Sequence, residues 1–446
     1  VAAGQIGAAD GKIHTITGGA GTDTLRTTDS SLDLNGVTIT GIENLNLTAA
    51  GPTTLYIDDE DLGAGKITTI SSADAAGIDA LVTDDATLNV EDVTLTNIDT
   101  LESTASASAV ITVADSQLRG SGVTTITVAD DGIDPDILQT NDSTLNLVGV
   151  TLNNIDKLVL DADNNGGNDT LTLNSADLAG LSAIEASADG NNNKVTTPDA
   201  DLDVDLIDLT NIDTHESTFA GTSIVTVRND QLREPGGVTT IMTTADSGDV
   251  DELQTADATL DLTDITLVNI DKVYSTATGD TTITMDDADL GPPGVTIVGS
   301  GSSAGTDVLQ TNDSTLDVSD VTLLNVDTLM VDADGNDSGD QTITVNPDQL
   351  GTDAAGKVNT IGSGSDAANV TLKLSSPGTV DLSILTLVNI DSIQGSSGGD
   401  NITGRAVDDT LAGGAGADTL NGGGGENTLS FADFTSSTAY GLSGLR

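Results

Sequence analysis

The sequence predicts an all-β fold, an elongated parallel β-helix or β-roll solenoid with rungs of about 18–19 residues. Three observations predict it: a repeat with a period near 57 residues, apolar side chains spaced as in strands, and an aromatic content of only 1%. A globular core of this size relies on Phe, Tyr and Trp, whereas thin rungs are filled by branched aliphatic side chains. The 446 residues therefore favour one repeat array over several compact domains.

The repeat is carried by a segment that occurs seven times. Residues 87–101 (TLNVEDVTLTNIDTL) recur at 144–158, 259–273 and 315–329, and in degenerate form at 31–45, 201–215 and 379–393. The leading apolar residues are separated by 56, 57, 57, 58, 56 and 64 positions: Leu32, Leu88, Leu145, Leu202, Leu260, Leu316 and Val380. Two further segments in each unit, such as residues 109–118 and 305–313, predict three rungs per repeat.

Within a rung, the apolar spacing is typical of short strands joined by corners. Leu88 and Val90, and then Val93 and Leu95, are two residues apart and lie on one face of a strand, whereas steps of three mark corners. The Asn of the recurring Asn-Ile-Asp or Asn-Val-Asp element fits a corner that caps its own backbone. These residues are Asn97, Asn154, Asn211, Asn269, Asn325 and Asn389. His215 occupies the slot of Leu101 and is predicted to be a degenerate core position.

The charge balance limits the classes of partner. The chain has 71 acidic and 13 basic residues, a formal net charge of −58, and no Cys. Such self-repulsion requires positive charge from divalent metal, concentrated salt or a basic macromolecule. Nucleic acid is excluded as a partner because there are no Lys and Arg clusters. No run of 18 apolar residues occurs, so no transmembrane segment is predicted.

Residues 395–430 contain a sharper motif. They divide into four nonapeptides, GSSGGDNIT, GRAVDDTLA, GGAGADTLN and GGGGENTLS, and an isolated copy, GGAGTDTLR, lies at 18–26. The pattern G-G-x-G-x-D-x-U-x, with U apolar, resembles the RTX (repeats-in-toxin) calcium-binding β-roll proteins. In such a coil, turn carbonyls and carboxylates suit a hard cation that seeks six to eight oxygens, so several Ca²⁺ ions are expected as cofactors.

The resemblance implies a set of metal ligands and turn positions. They are Gly18, Gly21, Asp23, Gly395, Asp400, Asp409, Gly413, Ala415, Gly416 and Asp418. Two nonapeptides depart from the pattern: the second has Arg405 and Val407 where Gly is expected, and the fourth has Asn427 in place of Asp. A half-motif, G-x-D-x-L, recurs with Asp79, Asp169 and Asp307 at its centre. These three residues are either further calcium ligands or only turn formers and solvated charge.

The predicted organisation has three parts. Residues 1–394 form a parallel β-solenoid of seven repeats of about 57 residues, residues 395–430 form an RTX nonapeptide β-roll, and residues 431–446 form a C-terminal cap strand or a truncated linker.

The predicted function is that of a calcium-stabilised extracellular structural protein, secreted or at the cell surface. It would be a subunit of a surface layer, sheath or filament, without enzymatic activity. Its partners would be copies of itself, joined through solenoid ends or faces, and cell-surface polysaccharide. The alternative is the stalk or ligand-binding region of an RTX adhesin. A third hypothesis is a β-helix polysaccharide lyase or epimerase, although His14 and His215 are too far apart for a His-based site. Salt adaptation without calcium would also explain the acidity.

Overall fold

The computed structural model describes residues 2–6, 11–73, 76–129, 132, 134–165, 167–188, 192–233, 236–245, 248–291, 294–300, 305–336, 339–351, 357–364, 369–430 and 441–443. The chain forms two compact units: Val1–Phe219 with Glu234–Val238, and Ala220–Arg233 with Thr239–Arg446. Both are nearly all-β, and their strands are stacked in parallel as a β-solenoid, which confirms the predicted fold class.

Among its described residues, the first unit contains short strands and four single-turn helices. Its strands are Thr15–Thr17, Thr24–Thr27, Ser31–Asp33, Thr38–Thr40, Asn44–Leu47, Thr54–Tyr56, Thr69–Ser72, Ala80–Thr83, Thr87–Asn89, Thr94–Thr96, Thr100–Ser103, Val110–Thr112, Thr125–Val128, Ile137–Gln139, Thr144–Asn146, Thr151–Asn153, Lys157–Val159, Thr170–Thr172, Ala183–Glu185, Lys194–Thr197, Asp201–Asp203, Asp208–Thr210 and Thr214–Ser217. Its helices are the 3₁₀ turns Ala3–Gln5, Asp59–Asp61 and Asp115–Gln117 and the α-turn Ser175–Leu178.

The second unit has the same kind of elements. Its strands are Ile224–Thr226, Thr240–Met242, Glu252–Thr255, Thr259–Asp261, Thr266–Val268, Lys272–Ser275, Thr281–Thr284, Thr296–Val298, Asp307–Gln310, Thr315–Asp317, Thr322–Leu324, Thr328–Val331, Gln341–Val345, Thr360–Ser363, Val370–Leu374, Thr379–Asp381, Thr386–Val388, Ser392–Gln394, Asn401–Thr403, Thr410–Ala412, Thr419–Asn421, Thr428–Ser430 and Gly441–Ser443. Its 3₁₀ turns are Asn229–Gln231, Asp287–Leu290, Pro347–Gln349 and Leu382–Ile384.

The core consists of columns of aliphatic side chains, one from each successive coil. In the first unit Leu32 pairs with Leu55, and Leu55 pairs with Leu81. The column continues through Leu101 to Ile126, and all five side chains are fully buried. Burying one such side chain stabilises the fold by roughly 1.5–3 kcal/mol. Aliphatic side chains of similar shape, stacked in register, therefore take the place of the aromatic side chains that the composition lacks.

The coil length varies along the chain. At the C-terminal end Asn401 pairs with Thr419, so one coil consists of two nonapeptides, as predicted. In the long repeat, the coil from Ala80 to Thr100 is close to this length, whereas Thr100 pairs with Thr125 and Thr125 with Thr151, so these two coils are longer by most of a nonapeptide. Some coils of the long repeat are therefore longer than the predicted rungs of about 18–19 residues. In the coil from Thr100 to Thr125, the extra length includes the 3₁₀ turn Asp115–Gln117 and the loop after it.

The seven-fold segment is the place where the solenoid changes sheets. Thr87–Asn89 is the first strand of a six-stranded sheet. Thr94–Thr96 is the last strand of a four-stranded sheet that started earlier in the chain, and Thr100–Ser103 is an inner strand of another six-stranded sheet. The second unit repeats this order with Thr315–Asp317 and Thr322–Leu324. Because strands of three different sheets follow one another so closely here, the segment must be nearly free of loop insertions. This explains why it is the clearest part of the repeat.

The asparagine corners adopt the expected left-handed backbone conformation. Their side chains, however, hydrogen-bond to carbonyls of the neighbouring coil, whereas a bond to their own backbone was predicted. The six residues have φ between 54° and 59°. Asn97 Nδ2 donates to the Ser72 carbonyl at 2.9 Å, and Asn154 Nδ2 donates to the Val128 carbonyl at 2.8 Å. Each side chain therefore ties its corner to the neighbouring coil, because in-register stacking places that carbonyl within hydrogen-bond distance.

Candidate metal centre

The nonapeptide turns at the C-terminal end stack in two columns. The pairing of Asn401 with Thr419 places the turn at 395–400 against the turn at 413–418. The pairing of Thr410 with Thr428 places the turn at 404–409 against the turn at 422–427. We call these the Asp400 column and the Asp409 column. The four nonapeptides thus supply two pairs of stacked turns rather than four independent sites.

The turns of the Asp400 column approach each other backbone to backbone. Gly414 has φ of 78°, and a Cβ atom there would lie 2.1 Å from the Ser396 carbonyl oxygen. Gly416 has φ of 126°, and its Cβ would lie 2.2 Å from the Gly398 carbonyl oxygen. Only glycine combines these backbone angles with this separation. The predicted positions Gly395 and Ala415 donate their N–H groups to the Ala412 and Ser396 carbonyls, respectively.

Two buried carboxylates follow one another along this column. Asp400 and Asp418 are each only 2% exposed. Asp418 Oδ1 accepts the Asp400 N–H at 2.9 Å, and Asp400 Oδ1 accepts the Gly378 N–H at 2.9 Å. Asp400 Oδ2 accepts from the backbone N–H and the hydroxyl of Ser396. The aspartates therefore connect three successive coils.

One carboxylate oxygen of the Asp400 column has no hydrogen-bond donor. Asp418 Oδ2 is buried and has no hydrogen-bond partner. Burial raises the pKa of the Asp418 carboxyl, and the nearby Asp400 charge also raises it, against the hydrogen bond from the Asp400 N–H. A buried anionic oxygen without a donor is costly unless a cation accompanies it. The donor set of carboxylates and stacked carbonyls therefore fits Ca²⁺, which prefers oxygen ligands.

The Asp409 column is neutralised by the protein itself. Arg405 Nε donates to Asp409 Oδ1 at 2.8 Å, and the Arg405 N–H donates to Asp409 Oδ2 at 2.6 Å. Asn427 stands in the next turn, where its Oδ1 accepts the Asp409 N–H at 3.0 Å. This column has one buried carboxylate and one guanidinium where the Asp400 column has two carboxylates. Its attraction for a divalent ion is correspondingly weaker.

The isolated copy near the N-terminus forms a similar turn at the surface. Asp23 Oδ2 accepts the Gly19 N–H at 2.6 Å, and Glu43 Oε2 accepts the Asp23 N–H at 2.8 Å. Gly18 donates to the Thr40 carbonyl, and Gly21 has φ of 119°. Asp23 is half-buried, in contrast to the fully buried Asp400 and Asp418.

The half-motif aspartates of the long repeat are buried hydrogen-bond acceptors, not solvated charge. Asp79 and Asp307 are 0% and 2% exposed. Asp79 Oδ1 accepts the Thr53 N–H at 2.6 Å, while the Asp79 N–H donates to Asp99 Oδ2 at 2.9 Å. Asp307 repeats this arrangement, and it also accepts from hydroxyl groups. We call this chain of aspartates, which passes from coil to coil, the aspartate ladder.

Sequence reasoning missed the aspartate ladder, although a signal was present. In four repeats a buried aspartate and the aspartate of the asparagine corner have the same separation in sequence. The pairs are Asp79 and Asp99, Asp136 and Asp156, Asp251 and Asp271, and Asp307 and Asp327, with N–H to Oδ distances of 2.9, 2.8, 3.0 and 3.0 Å. A constant separation in a repeat of variable length indicates a direct contact.

The sequence comparisons agree with the C-terminal and N-terminal motifs. The family described as RTX calcium-binding nonapeptide repeat matches in four copies, over residues 15–29 and 391–429. No curated protein and no solved structure matches the chain. The repeats indicate Ca²⁺ binding at multiple sites, and no enzymatic family is identified. In the described part of the chain, no helix has the length and apolar character needed to cross a membrane.

Proposed function

Since the chain fits an RTX-type β-roll protein, we propose that it is a calcium-stabilised extracellular structural protein, a subunit of a surface layer, sheath or filament. RTX repeats are typical of secreted proteins, which supports this location. The observation that carries the calcium part is the Asp400 column, where a buried carboxylate oxygen has no donor. The net charge of −58 provides the driving force for calcium uptake.

The proposed ligands follow from the two columns and the isolated turn. Asp400 and Asp418, with the carbonyls of their stacked turns, form the strongest candidate site. Asp23, with the turn at Gly18 and Gly21, forms a second site closer to the surface. Asp409 is the weakest candidate, because Arg405 already occupies its carboxylate.

Calcium would then act as a folding switch. Where calcium is scarce, repulsion among the carboxylates keeps the chain expanded. Where calcium is plentiful, the ion neutralises the turns, and its binding free energy becomes folding free energy. Assembly follows through the unpaired edges and faces of the folded solenoid, where copies of the chain or cell-surface polysaccharide bind.

A second candidate function, an RTX adhesin, is supported by rows of threonine side chains. Thr15 pairs with Thr38 and Thr17 with Thr40, and all four are exposed. Evenly spaced hydroxyl groups of this kind suit a regular ligand such as carbohydrate. The two functions differ in assembly: a structural subunit forms ordered sheets or fibres with calcium, whereas an adhesin stays monomeric and retains a ligand.

The test is far-ultraviolet circular dichroism and negative-stain microscopy of the full chain. We expect the β signal to rise and ordered assemblies to form when millimolar Ca²⁺ replaces chelator. Chelator with concentrated NaCl is the control for charge screening, since salt adaptation alone would restore the fold there. A β signal that is the same with calcium and with chelator at low salt refutes the folding switch. A folded monomer without assemblies refutes the structural role and supports the adhesin.

A further inference from the structure

Two loops of the long repeat share one backbone turn. They are residues 161–165 (DADNN) and residues 332–336 (DADGN), at the same place in two repeats. Asp161 and Asp332 begin the loops, both with φ of 48° and both with buried side chains. The carbonyl of this first aspartate accepts the N–H three residues further on, at 2.9 Å in one loop and 3.0 Å in the other. The surroundings of the two aspartates can therefore be compared directly.

In the second loop the buried aspartate is paired with an amide. Gln341 Nε2 donates to Asp332 Oδ2 at 2.6 Å, and Gln341 is itself fully buried. Gln341 Oε1 accepts the Ser363 hydroxyl at 2.5 Å. The neighbouring Asp340 is exposed, so its charge lies outside this buried pair. The Asp332 carboxylate therefore has a hydrogen-bond donor within the protein.

In the first loop a carboxylate replaces that amide. Asp169 stands in the place of Gln341, because each precedes by two residues the core side chain that pairs with the leading leucine of its repeat segment. Asp169 is fully buried, and its Oδ2 accepts the Ser187 hydroxyl at 2.7 Å. This bond corresponds to the bond between Gln341 Oε1 and the Ser363 hydroxyl. The correspondence places Asp169 Oδ1 where Gln341 has Nε2, towards Asp161.

The exchange leaves Asp161 without a donor on one oxygen. Asp161 is 3% exposed, and its Oδ2 has no hydrogen-bond partner. Its Oδ1 accepts the Asn165 N–H at 3.3 Å, which directs the carboxylate into the loop. Among the residues that the structure describes, no ion pair includes Asp161. A buried anionic oxygen with neither a donor nor a counter-charge is unfavourable unless a cation accompanies it.

The exchange also opens a gap between the two side chains. Aspartate is shorter than glutamine by one methylene group, or roughly 1.5 Å of chain. With the two backbones superposed, the contact of 2.6 Å in the second loop becomes a separation of roughly 4 Å between Asp161 Oδ2 and Asp169 Oδ1. A direct hydrogen bond does not span this distance, whereas one Ca²⁺ ion at about 2.3–2.6 Å from each oxygen does.

The sequence of the first loop gives a separate indication of a metal ion. Residues 161–166 (DADNNG) fit the first half of the calcium-loop pattern D-x-[DN]-x-[DN]-G, whose alternate side chains hold the ion. The Glu at the twelfth position of that pattern is absent, because Thr172 stands there. Asp169, at the ninth position, supplies the second carboxylate instead. Asp163, at the third position, is exposed.

We propose that Asp161 and Asp169 bind a hard divalent cation of the calcium class between them, with Asp163 and water supplying further oxygen ligands from the solvent side. The proposal rests on the calcium-dependent role proposed above only for the choice of ion. The site lies outside residues 15–29 and 391–429, which match the nonapeptide family. Because Asp169 also accepts from Ser187, the ion would join the loop to the neighbouring coil.

Exchanging the residues between the two loops tests the site. Asp169→Gln introduces the residue of the second loop, and we expect equilibrium dialysis of the full chain at saturating Ca²⁺ to count one bound ion fewer than in the wild type. Gln341→Asp makes the opposite change, and we expect it to bind one ion more. Circular dichroism at saturating Ca²⁺ should show an intact fold in both variants, because each copies a buried pair that the other loop already has.

Three further variants complete the test. Asp161→Asn restores an amide facing Asp169, so it should also bind one ion fewer, and it replaces Asp169→Gln if that variant does not fold. Asp340→Asn removes an exposed carboxylate next to Gln341 and should leave the ion count unchanged. Asp418→Asn disables the Asp400 column, and the loss caused by Asp169→Gln should persist in that background.

Two results would overturn the proposal. One is an equal number of bound Ca²⁺ ions in the wild type, Asp169→Gln and Asp161→Asn, which would indicate that the two carboxylates share a proton instead. The other is a Gln341→Asp variant that folds and gains no ion. A chain that folds and assembles equally well without calcium would refute the proposed function, whereas the ion counts of these variants would still decide this site.

Discussion

The buried imidazole of His215 makes the stability of the first unit depend on pH in a way that one substitution should remove. His215 is fully buried and pairs in register with Val195, in the core slot that Leu101 fills elsewhere. Both ring nitrogens lack a hydrogen-bond partner, and burial lowers the pKa of the ring to about 4. We expect His215→Leu to stabilise the protein at every pH, because leucine already fits this slot in other repeats.

The magnitude follows from two separate effects. An unpaired buried polar group costs about 1–3 kcal/mol at neutral pH, where the ring is uncharged in both the folded and the unfolded state. As the pH falls below 6.5, the ordinary pKa of histidine, His215 becomes protonated in the unfolded chain. In the folded chain it stays neutral until about pH 4, because burial lowers its pKa. Stability is therefore lost on acidification, by about 2.5 kcal/mol at pH 4.5. The advantage of the leucine variant should grow by that amount.

The assay is urea unfolding of wild type and His215→Leu at pH 7.5 and pH 4.5, at saturating Ca²⁺. Acid also protonates carboxylates in both proteins, so only the difference between the two proteins is interpreted. His14→Gln changes the other histidine, which is exposed, and serves as the control. If the gain from His215→Leu were the same at both pH values, or if imidazole NMR showed His215 titrating near pH 6.5 in the folded protein, the reasoning would be refuted.

Two further predictions concern the asparagine corner at Asn325 and the Asp409 column. Asn325→Ala should cost about 1–3 kcal/mol, because it loses both the hydrogen bond to the Ser300 carbonyl and the tolerance for φ of 55°, whereas Asn325→Gly keeps the backbone freedom and should cost less. Urea unfolding checks this, and equal losses in the two variants would contradict it. Arg405→Gly should leave the Asp409 carboxylate, 4% exposed, without its cation. We therefore expect a wider gap in Tm between calcium and chelator than in the wild type, and an unchanged gap would show that Arg405 does not replace a metal ion.

Local features of the fold were predictable because they depend on residues close in sequence. The left-handed corners at asparagine and the strand faces marked by alternating Leu and Val follow from backbone sterics and burial. The core position of His215 follows from its alignment with Leu101 and is confirmed. The coil length was not predictable in this way. A repeat period states how often a pattern returns, but it does not state how many coils that length is wound into.

The changes of sheet explain why the repeat period does not give the coil length. Each repeat contains one place, such as residues 87–103, where a new sheet begins and an older one ends. The number of strands in a coil therefore varies along the repeat, and the period is not a whole number of coils. Counting similar segments assigns one rung of equal length to each, whereas the register step differs from coil to coil: Ala80 pairs with Thr100, Thr100 with Thr125, and Thr125 with Thr151.

The candidate sites were predictable only where a family pattern exists. Asp400 and Asp418 were identified from the nonapeptide motif, and the structure brings them together in one column. The pairs of the aspartate ladder, such as Asp79 and Asp99, belong to no family pattern, because only the stacking of two coils makes the two residues neighbours. An aspartate that accepts a buried N–H looks the same in sequence as one that faces solvent, since both stand in polar turns.

The aspartate ladder changes how the acidity of this chain is interpreted. A net charge of −58 implies a fold that depends on counter-ions at every turn. Many of the buried carboxylates, however, accept backbone N–H groups of the neighbouring coil, as Asp307 does from Thr281. Hydrogen bonds to charged groups contribute roughly 1.5–3 kcal/mol each, so these aspartates stabilise the stack without a metal. We expect calcium to be needed where a buried carboxylate oxygen has no donor, as at Asp418 and Asp61, and also at Asp79 within the ladder, whose Oδ2 has no hydrogen-bond partner. Its effect on folding should therefore be concentrated in a few turns, and the rest of the acidic surface serves to attract the ion.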